Sequence, residues 1–284
     1  EWLTEAQIGQ DTYLFTEFYQ PLHEAGVWFT SPYLKVGQTT RGVFAGDDKV
    51  ADYRVRSVQG GVDLGATIGT WGAVRLGPVW SSIDARVDTG LSTLPRIDQA
   101  SAGMRAALFV DQTNHAFFPT QGFGASASAY AALESFGSAV SYERLQGTVR
   151  GATSWGPHTI YAYAEGGTDL DSDMPAYESF SLGGPLRLSG YRINQFAGRR
   201  YSLGRLMYYN KVLPLPDLLG SGIYLGGSAE VGRIAGRFDN LPSPGTLWSA
   251  SVFLGADTFL GPIFLGAGVG GSNHWSLYLL LGVP

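Results

Sequence analysis

The sequence predicts an all-β fold: a transmembrane antiparallel β-barrel with one long loop folded into its lumen. Three observations predict it. Charged residues make up only 15% of the 284 residues, yet the mean hydropathy is just +0.01. A soluble domain carries roughly 25% charge, and a helical membrane protein has apolar runs of about 20 residues. Here the apolar runs, such as 263–271 and 277–283, are about half that, the length a tilted membrane strand needs. The second observation is repeated two-residue alternation of apolar and polar positions. The third is Ser179–Tyr201, a stretch with four glycines and four arginines and neither strand nor helix periodicity. An irregular segment of that size inside a compact domain is usually functional.

Alternation is clearest between Val58 and Ile68, where Val58, Val62, Leu64, Ala66 and Ile68 alternate with Gln59, Gly61, Asp63, Gly65 and Thr67. Met104, Ala106, Leu108 and Val110 alternate with Arg105, Ala107, Phe109 and Asp111. Ala250, Val252, Leu254 and Ala256 alternate with Ser249, Ser251, Phe253, Gly255 and Asp257. In a barrel the apolar set meets lipid and the polar set lines the lumen. Asp63, Arg105 and Asp257 are therefore expected to point inward, and Leu64, Leu108 and Leu254 outward. A soluble β-sandwich would instead turn the apolar set into a core.

In order, strands are expected near 3–10, 12–22, 25–42, 48–68, 72–88, 101–116, 122–136, 140–155, 158–168, 200–214, 221–236, 246–260, 262–271 and 274–283, about fourteen in one domain, 1–284. Connections sort by side. Short ones rich in turn formers fall at Pro21–Gly26, Gly69–Gly72, Pro119–Gly122, Trp155–Pro157 and Gly261–Pro262. Longer, more polar ones fall at Phe44–Asp48, Thr89–Ala100, about 169–199, and Arg237–Pro244. Short periplasmic turns opposite long outer loops suit an outer-membrane barrel. Trp28, Phe29, Trp71, Phe117, Phe118, Trp155, Trp248 and Trp275 lie near strand ends, as girdle aromatics at the membrane interfaces would. No signal peptide or initiator methionine stands at Glu1, so the chain is expected to be the interior or C-terminal part of a longer precursor.

Chemistry-bearing motifs are few. Gly266–Gly271 matches the glycine pattern of a dinucleotide loop, but a strand rather than a helix follows, and that motif needs a helix N-terminus. No Gly-x-Ser-x-Gly elbow occurs. His23, His115, His158 and His274 are scattered; His115 beside a serine would be the starting point for an outer-membrane enzyme. Asp47–Asp48 and the trio Asp169, Asp171 and Asp173 read as solvated loop carboxylates, with a weak outer-loop calcium site as the alternative. No catalytic, metal-binding or cofactor-binding set is expected. The net charge of -5 and the lack of a basic block argue against nucleic acid.

Leu182-Gly183-Gly184-Pro185-Leu186-Arg187-Leu188-Ser189-Gly190-Tyr191-Arg192 resembles the sixth-loop motif of the outer-membrane translocator superfamily that includes BamA, TamA and two-partner-secretion transporters. The family pattern is an apolar residue, Arg, Gly, then Phe or Tyr. Leu188, Gly190 and Tyr191 match it; Ser189 stands in place of the arginine. The resemblance implies an acidic wall partner in a Phe-x-Asp-x-Gly pattern, and Ser228-Ala229-Glu230-Val231-Gly232 occupies that place, with Glu230 and Gly232 as the matching residues. Two readings of the charge are open. Arg187, or failing it Arg192, docks on Glu230 in place of the missing arginine; or Arg187 bonds loop carbonyls while Glu230 faces water.

Leu14–Leu22, Tyr53-Arg54-Val55 with Gly61–Gly65, and Leu254–Asp257 with Gly261-Pro262 further resemble the surface-antigen barrel of PlpD-type patatin autotransporters. That resemblance implies a sixteen-strand family barrel, two of whose strands would lie upstream of Glu1. It also implies an upstream periplasmic domain of the polypeptide-transport-associated type and a patatin-like phospholipase passenger. The expected partners are outer-membrane lipids and the passenger in cis, with room for a homo-oligomer. A BamA/TamA-type insertase, an outer-membrane phospholipase and a passive porin are the alternatives.

Overall fold

Alternation of residue type becomes alternation of exposure in the computed structural model, which describes residues 1–9, 11–24, 26–45, 48–90, 96–216, 220–238, 243–259 and 261–282. Along one strand the buried positions are Gly222, Tyr224, Ser228, Glu230, Gly232 and Ile234, and the exposed ones are Leu225, Ala229, Val231 and Arg233. Leu64, Leu108 and Leu254 are exposed, whereas Asp63 is 1% exposed. Large apolar side chains on the exposed face beside a buried Asp63 and Glu230 reverse the soluble pattern. Lipid facing the first set explains it.

The strands are β1 (Trp2–Gln7), β2 (Asp11–Phe18), β3 (Gln20–Pro21), β4 (Trp28–Ala45), β5 (Asp48–Ile68) and β6 (Gly72–Gly90). Next come β7 (Ile97–Asp111), β8 (Gly122–Ala132), β9 (Tyr142–Trp155), β10 (His158–Thr168), β11 (Phe180–Leu182) and β12 (Phe196–Gly198). The last five are β13 (Arg200–Pro214), β14 (Gly220–Ala235), β15 (Leu247–Thr258), β16 (Gly261–Gly270) and β17 (Trp275–Leu281). One antiparallel sheet follows chain order from β1 to β17, with β3 pairing only with β4; β11 and β12 form a separate two-stranded sheet. Each expected strand has its counterpart.

The differences have local causes. The strand expected over 101–116 ends at Asp111, because 112–121 is a folded connection. Asn114 Oδ1 accepts the Thr120 and Gln121 amides at 3.0 and 3.1 Å. This Asx-type bonding offers the backbone an alternative to the ladder. The strand expected to reach 136 ends at Ala132 and gives way to a 3-10 turn, Glu134–Phe136, closed by Gly137 at φ 97°. No long loop separates β4 from β5. Residues 46–47, including Asp47, lie outside the described residues, as do 91–95 and 239–242 of two other expected loops. β4, β5 and β6 have 18, 21 and 19 residues, against the roughly 9–11 that cross a membrane. Their far ends extend beyond the apolar band and carry the pairs Lys49–Asp52 and Arg54–Asp88, each at 2.5 Å.

The chain divides into two compact units: 1–110 with 126–146 and 168–179, and 111–125 with 147–167 and 180–284. In the first, the buried face is an ion-pair lattice. Arg75 grips Glu17 with two bonds at 2.6 and 3.2 Å. Asp63 takes Arg105 at 2.5 Å and lies 3.8 Å from Arg75. Two expected girdle aromatics belong to buried faces instead. Phe29 is 1% exposed, stacked near Tyr19 at 4.6 Å with Arg75 over its ring. Phe118, also 1% exposed, lies in the second unit, parallel to Tyr224 at 4.2 Å. In both cases a glycine makes room: a Cβ on Gly65 would lie 2.2 Å from the Phe29 ring, and one on Gly255 2.7 Å from Phe118. Trp28, Trp71, Phe117, Trp155, Trp248 and Trp275 are exposed, as girdle residues are.

Candidate functional site at the long loop

The loop expected over 169–199 contains the β11–β12 hairpin, paired Phe180–Gly198, Ser181–Ala197 and Leu182–Phe196. Its first part, 169–179, belongs to the first unit. There Arg41 donates to the Ser179 carbonyl at 3.1 Å, and burial pushes the Tyr177 hydroxyl up to about 12. The rest lies in the second unit and carries the motif. Beyond β11, Gly183 and Gly184 take φ of 117° and 111°, where glycine alone is unstrained. The chain then closes a tight turn, with Arg187 N–H bonded to Gly184 O at 3.0 Å and Gly183 N–H to Arg187 O at 2.9 Å. Leu186 and Leu188 also sit at positive φ, 57° and 80°. Such strain costs on the order of 1–3 kcal/mol per residue and persists where surrounding contacts impose it.

Glu230 supplies those contacts. It is 3% exposed and accepts five hydrogen bonds. Oε2 takes the backbone amides of Leu188 and Ser189 at 2.9 and 2.6 Å and the Ser249 hydroxyl at 3.0 Å. Oε1 takes the hydroxyls of Ser189 and Ser228 at 2.7 and 2.5 Å. Neutral donors thus satisfy a buried carboxylate, with charge-assisted bonds about twice as strong as neutral ones. Ser189 also accepts Leu186 N–H at 2.9 Å, so one hydroxyl ties the turn to itself and to the wall. Gly190 N–H reaches the Ser249 hydroxyl at 3.0 Å, and Ser276 donates to the Ser189 carbonyl.

Arg187 does not reach Glu230. Its guanidinium pairs with Glu165 on β10, at 2.8 Å through Nε, and donates to the Ser181 carbonyl at 3.2 Å. Residues two apart share a side only in an extended segment, and here the Gly184–Arg187 turn and the positive φ of Leu186 and Leu188 break that geometry. Arg192 is exposed; its amide bonds the Gln195 side chain at 2.9 Å. Nor does Glu230 face water. The sequence reading missed Glu165, Arg205, Ser249 and Ser276. Arg205, the cross-strand partner of Glu230, donates to the Leu186 carbonyl at 2.6 Å. The loop backbone is therefore gripped by a cation at one carbonyl and by a carboxylate at two amides.

The dismissed glycine run has a structural use. A Cβ on Gly268 would lie 2.4 Å from the Ser189 carbonyl oxygen, one on Gly270 2.7 Å from the Tyr191 ring, and one on Gly190 2.3 Å from the Gly270 nitrogen. The buried face of β16 is bare at Gly268 and Gly270, and the loop lies there. Gly232 faces Leu188, with Cδ1 3.2 Å from where its Cβ would stand. Tyr191 packs edge-on to Phe196 at 5.2 Å and lies 4.8 Å from His274. An apolar cluster of Leu182, Leu188, Tyr191, Phe196, Leu203 and Ile234 completes the seat. His115 is exposed in the 112–121 connection.

A meander of lipid-facing strands whose buried face receives a long, strained, carboxylate-held loop defines an outer-membrane β-barrel protein of the translocator type. The Omp85 superfamily domain matches residues 4–235, and the chain belongs to that superfamily. Among solved structures it is similar to BamA from Haemophilus ducreyi lacking POTRA domains 1–3. The TM-score is 0.72 at 13% identity, covering 95% of this chain and 61% of that one. CdiB from Acinetobacter baumannii gives 0.65 at 12% identity, covering 95% and 49%. CdiB from Escherichia coli gives 0.64 at 14%, covering 95% and 52%. The chain thus spans between about half and three-fifths of the length of these structures. No curated protein matches it by sequence. Its place is the bacterial outer membrane.

Proposed function

We propose that the chain is the secretion barrel of a patatin-like type V system, moving or displaying a phospholipase passenger fused upstream. The observation that carries the reading is the seated motif, with the Leu188 and Ser189 amides on Glu230 and Gly190 on the bare stretch of β16. A porin constriction needs no such seat. On this reading Gly183, Gly184, Arg187, Leu188, Ser189, Gly190, Tyr191 and Arg192 form the loop element, and Glu230 and Gly232 its wall partners. Hydrolysis belongs to the passenger, and the barrel needs no cofactor. The partners are membrane lipids and the passenger in cis, with a second copy of the barrel as a further candidate and no nucleic acid.

The test uses the full-length gene product in a Gram-negative host. The expected result is a passenger on the cell surface, accessible to added protease, that is retained in the periplasm when the barrel is deleted or carries Glu230→Leu. Loss of other outer-membrane barrels on deletion, with no upstream hydrolase, would favour the insertase alternative.

A further inference from the structure

A cavity of about 250 Å³ lies in the second unit, walled by Phe117, Thr148, Arg150, Tyr161, Tyr163, Arg187, Arg205 and Met207 among others. Three guanidiniums border it. Two have carboxylates: Arg150 binds Asp111 at 2.6 Å, and Arg187 binds Glu165. Arg205 has none within 4 Å among the described residues. It is 8% exposed, its Nε has no hydrogen-bond partner, and it spends one N–H on the Leu186 carbonyl. The rings of Tyr163 and Tyr161 lie 4.6 and 5.8 Å from its guanidinium. Glu230 is the carboxylate opposite it on the neighbouring strand. Five neutral donors fill that group's hydrogen bonds, so its charge stays beside Arg205 without a direct bond to it.

A buried cation is expensive unless an anion accompanies it. Cation–π contact offsets only part of that cost, about 2 kcal/mol when desolvated. Arg150 and Arg187 border the same cavity, each with its own carboxylate. A guanidinium that lines a cavity matches the fork of a carboxylate or phosphate.

We infer that this cavity is an oxyanion site, in which Arg205 binds a carboxylate or phosphate group directly and Arg150 and Arg187 hold it by charge. The anion comes either from an acidic side chain of a polypeptide or from a small free ion. The site does not depend on the identity of the passenger.

The experiment is isothermal titration of the purified chain, folded in detergent, at constant ionic strength. The probes are inorganic phosphate and a capped Gly-Glu-Gly peptide, with capped Gly-Gln-Gly as the uncharged control. Binding of the Glu peptide but not phosphate assigns the site to acidic polypeptide; binding of phosphate assigns it to oxyanions generally. Arg205→Gln should weaken either by about tenfold or more, Arg205→Lys by less, and the exposed Arg96→Gln not at all. Anion-dependent elevation of the thermal midpoint, lost in Arg205→Gln but kept in Arg205→Lys, provides a second readout if heats are small. Absence of binding by both anionic probes to the folded wild-type chain would overturn the proposal, as would equal binding by Arg205→Gln or by the Gln peptide.

Discussion

The ion-pair lattice of the first unit and the loop seat of the second put charge on buried faces in opposite ways, although the second also holds the Arg187–Glu165 pair. In the first, Glu17 and Asp63 are served by Arg75 and Arg105, whose side chains remain 30% and 29% exposed. In the second, Glu230 is served by two amides and three hydroxyls, with no cation on its oxygens. The physical difference is water. An arginine that keeps part of its hydration can pair with a buried carboxylate at modest desolvation cost, and the pair then responds to salt. Where a loop seals the site, neutral dipoles do the same work without burying a second ion. The lattice joins strand to strand; the cradle joins strand to loop.

Breaking the cradle should have the largest effect. Glu230→Leu removes the acceptor of two amides and three hydroxyls and leaves the strained Leu188 unsupported. It is expected to lower stability by about 3–5 kcal/mol, read as a fall in thermal midpoint together with trypsin cleavage after Arg187. An unchanged midpoint would mean that the loop is not held there.

Gly190→Val attacks the same seat by volume. Its Cβ would enter the β16 backbone, so the loop must lift, at about 2–3 kcal/mol. The cleavage at Arg187 should appear while the strands, followed by circular dichroism, stay folded. Gly137→Val, whose Cβ meets nothing within 4 Å, tests positive-φ strain without a clash and should leave Arg187 protected.

Asp63→Asn weakens the lattice by about 1–2 kcal/mol, discounted because the arginines stay partly hydrated. The comparison sharpens in salt. Raising the ionic strength should shrink the Asp63→Asn difference and leave the Glu230→Leu difference nearly unchanged. Equal salt responses would remove the distinction between a wet lattice and a dry cradle.

The smallest effect concerns Arg187. Exchanging it with Glu165, as Arg187→Glu with Glu165→Arg, should restore about 1 kcal/mol of what the single changes lose, measured by a double-mutant cycle. Arg187→Glu with Glu230→Arg should give no recovery, since those two residues do not meet.

The strands and their faces were legible in the amino-acid order because a period of two needs only local sequence and a lipid-facing side. Leu64 and Asp63 could be assigned to opposite faces from their neighbours alone. The irregular course of 183–195 was legible too, from its lack of period and its glycines. Which charge meets which was not. Ser189 could be seen to lack the family's arginine, but its pairing with Glu230 through backbone amides leaves no trace in residue type, since every residue has an amide. Docking of Arg187 on Glu230 would need an extended chain, and positive φ at Leu186 and Leu188 redirected it to Glu165. One signal was present and passed over: Gly268 and Gly270 share one strand face, which marks a surface cleared for close approach. Tertiary structure alone could say that the visitor is the loop, because β16 and residue 189 are far apart in sequence and only folding brings a carbonyl to within contact of that bare face.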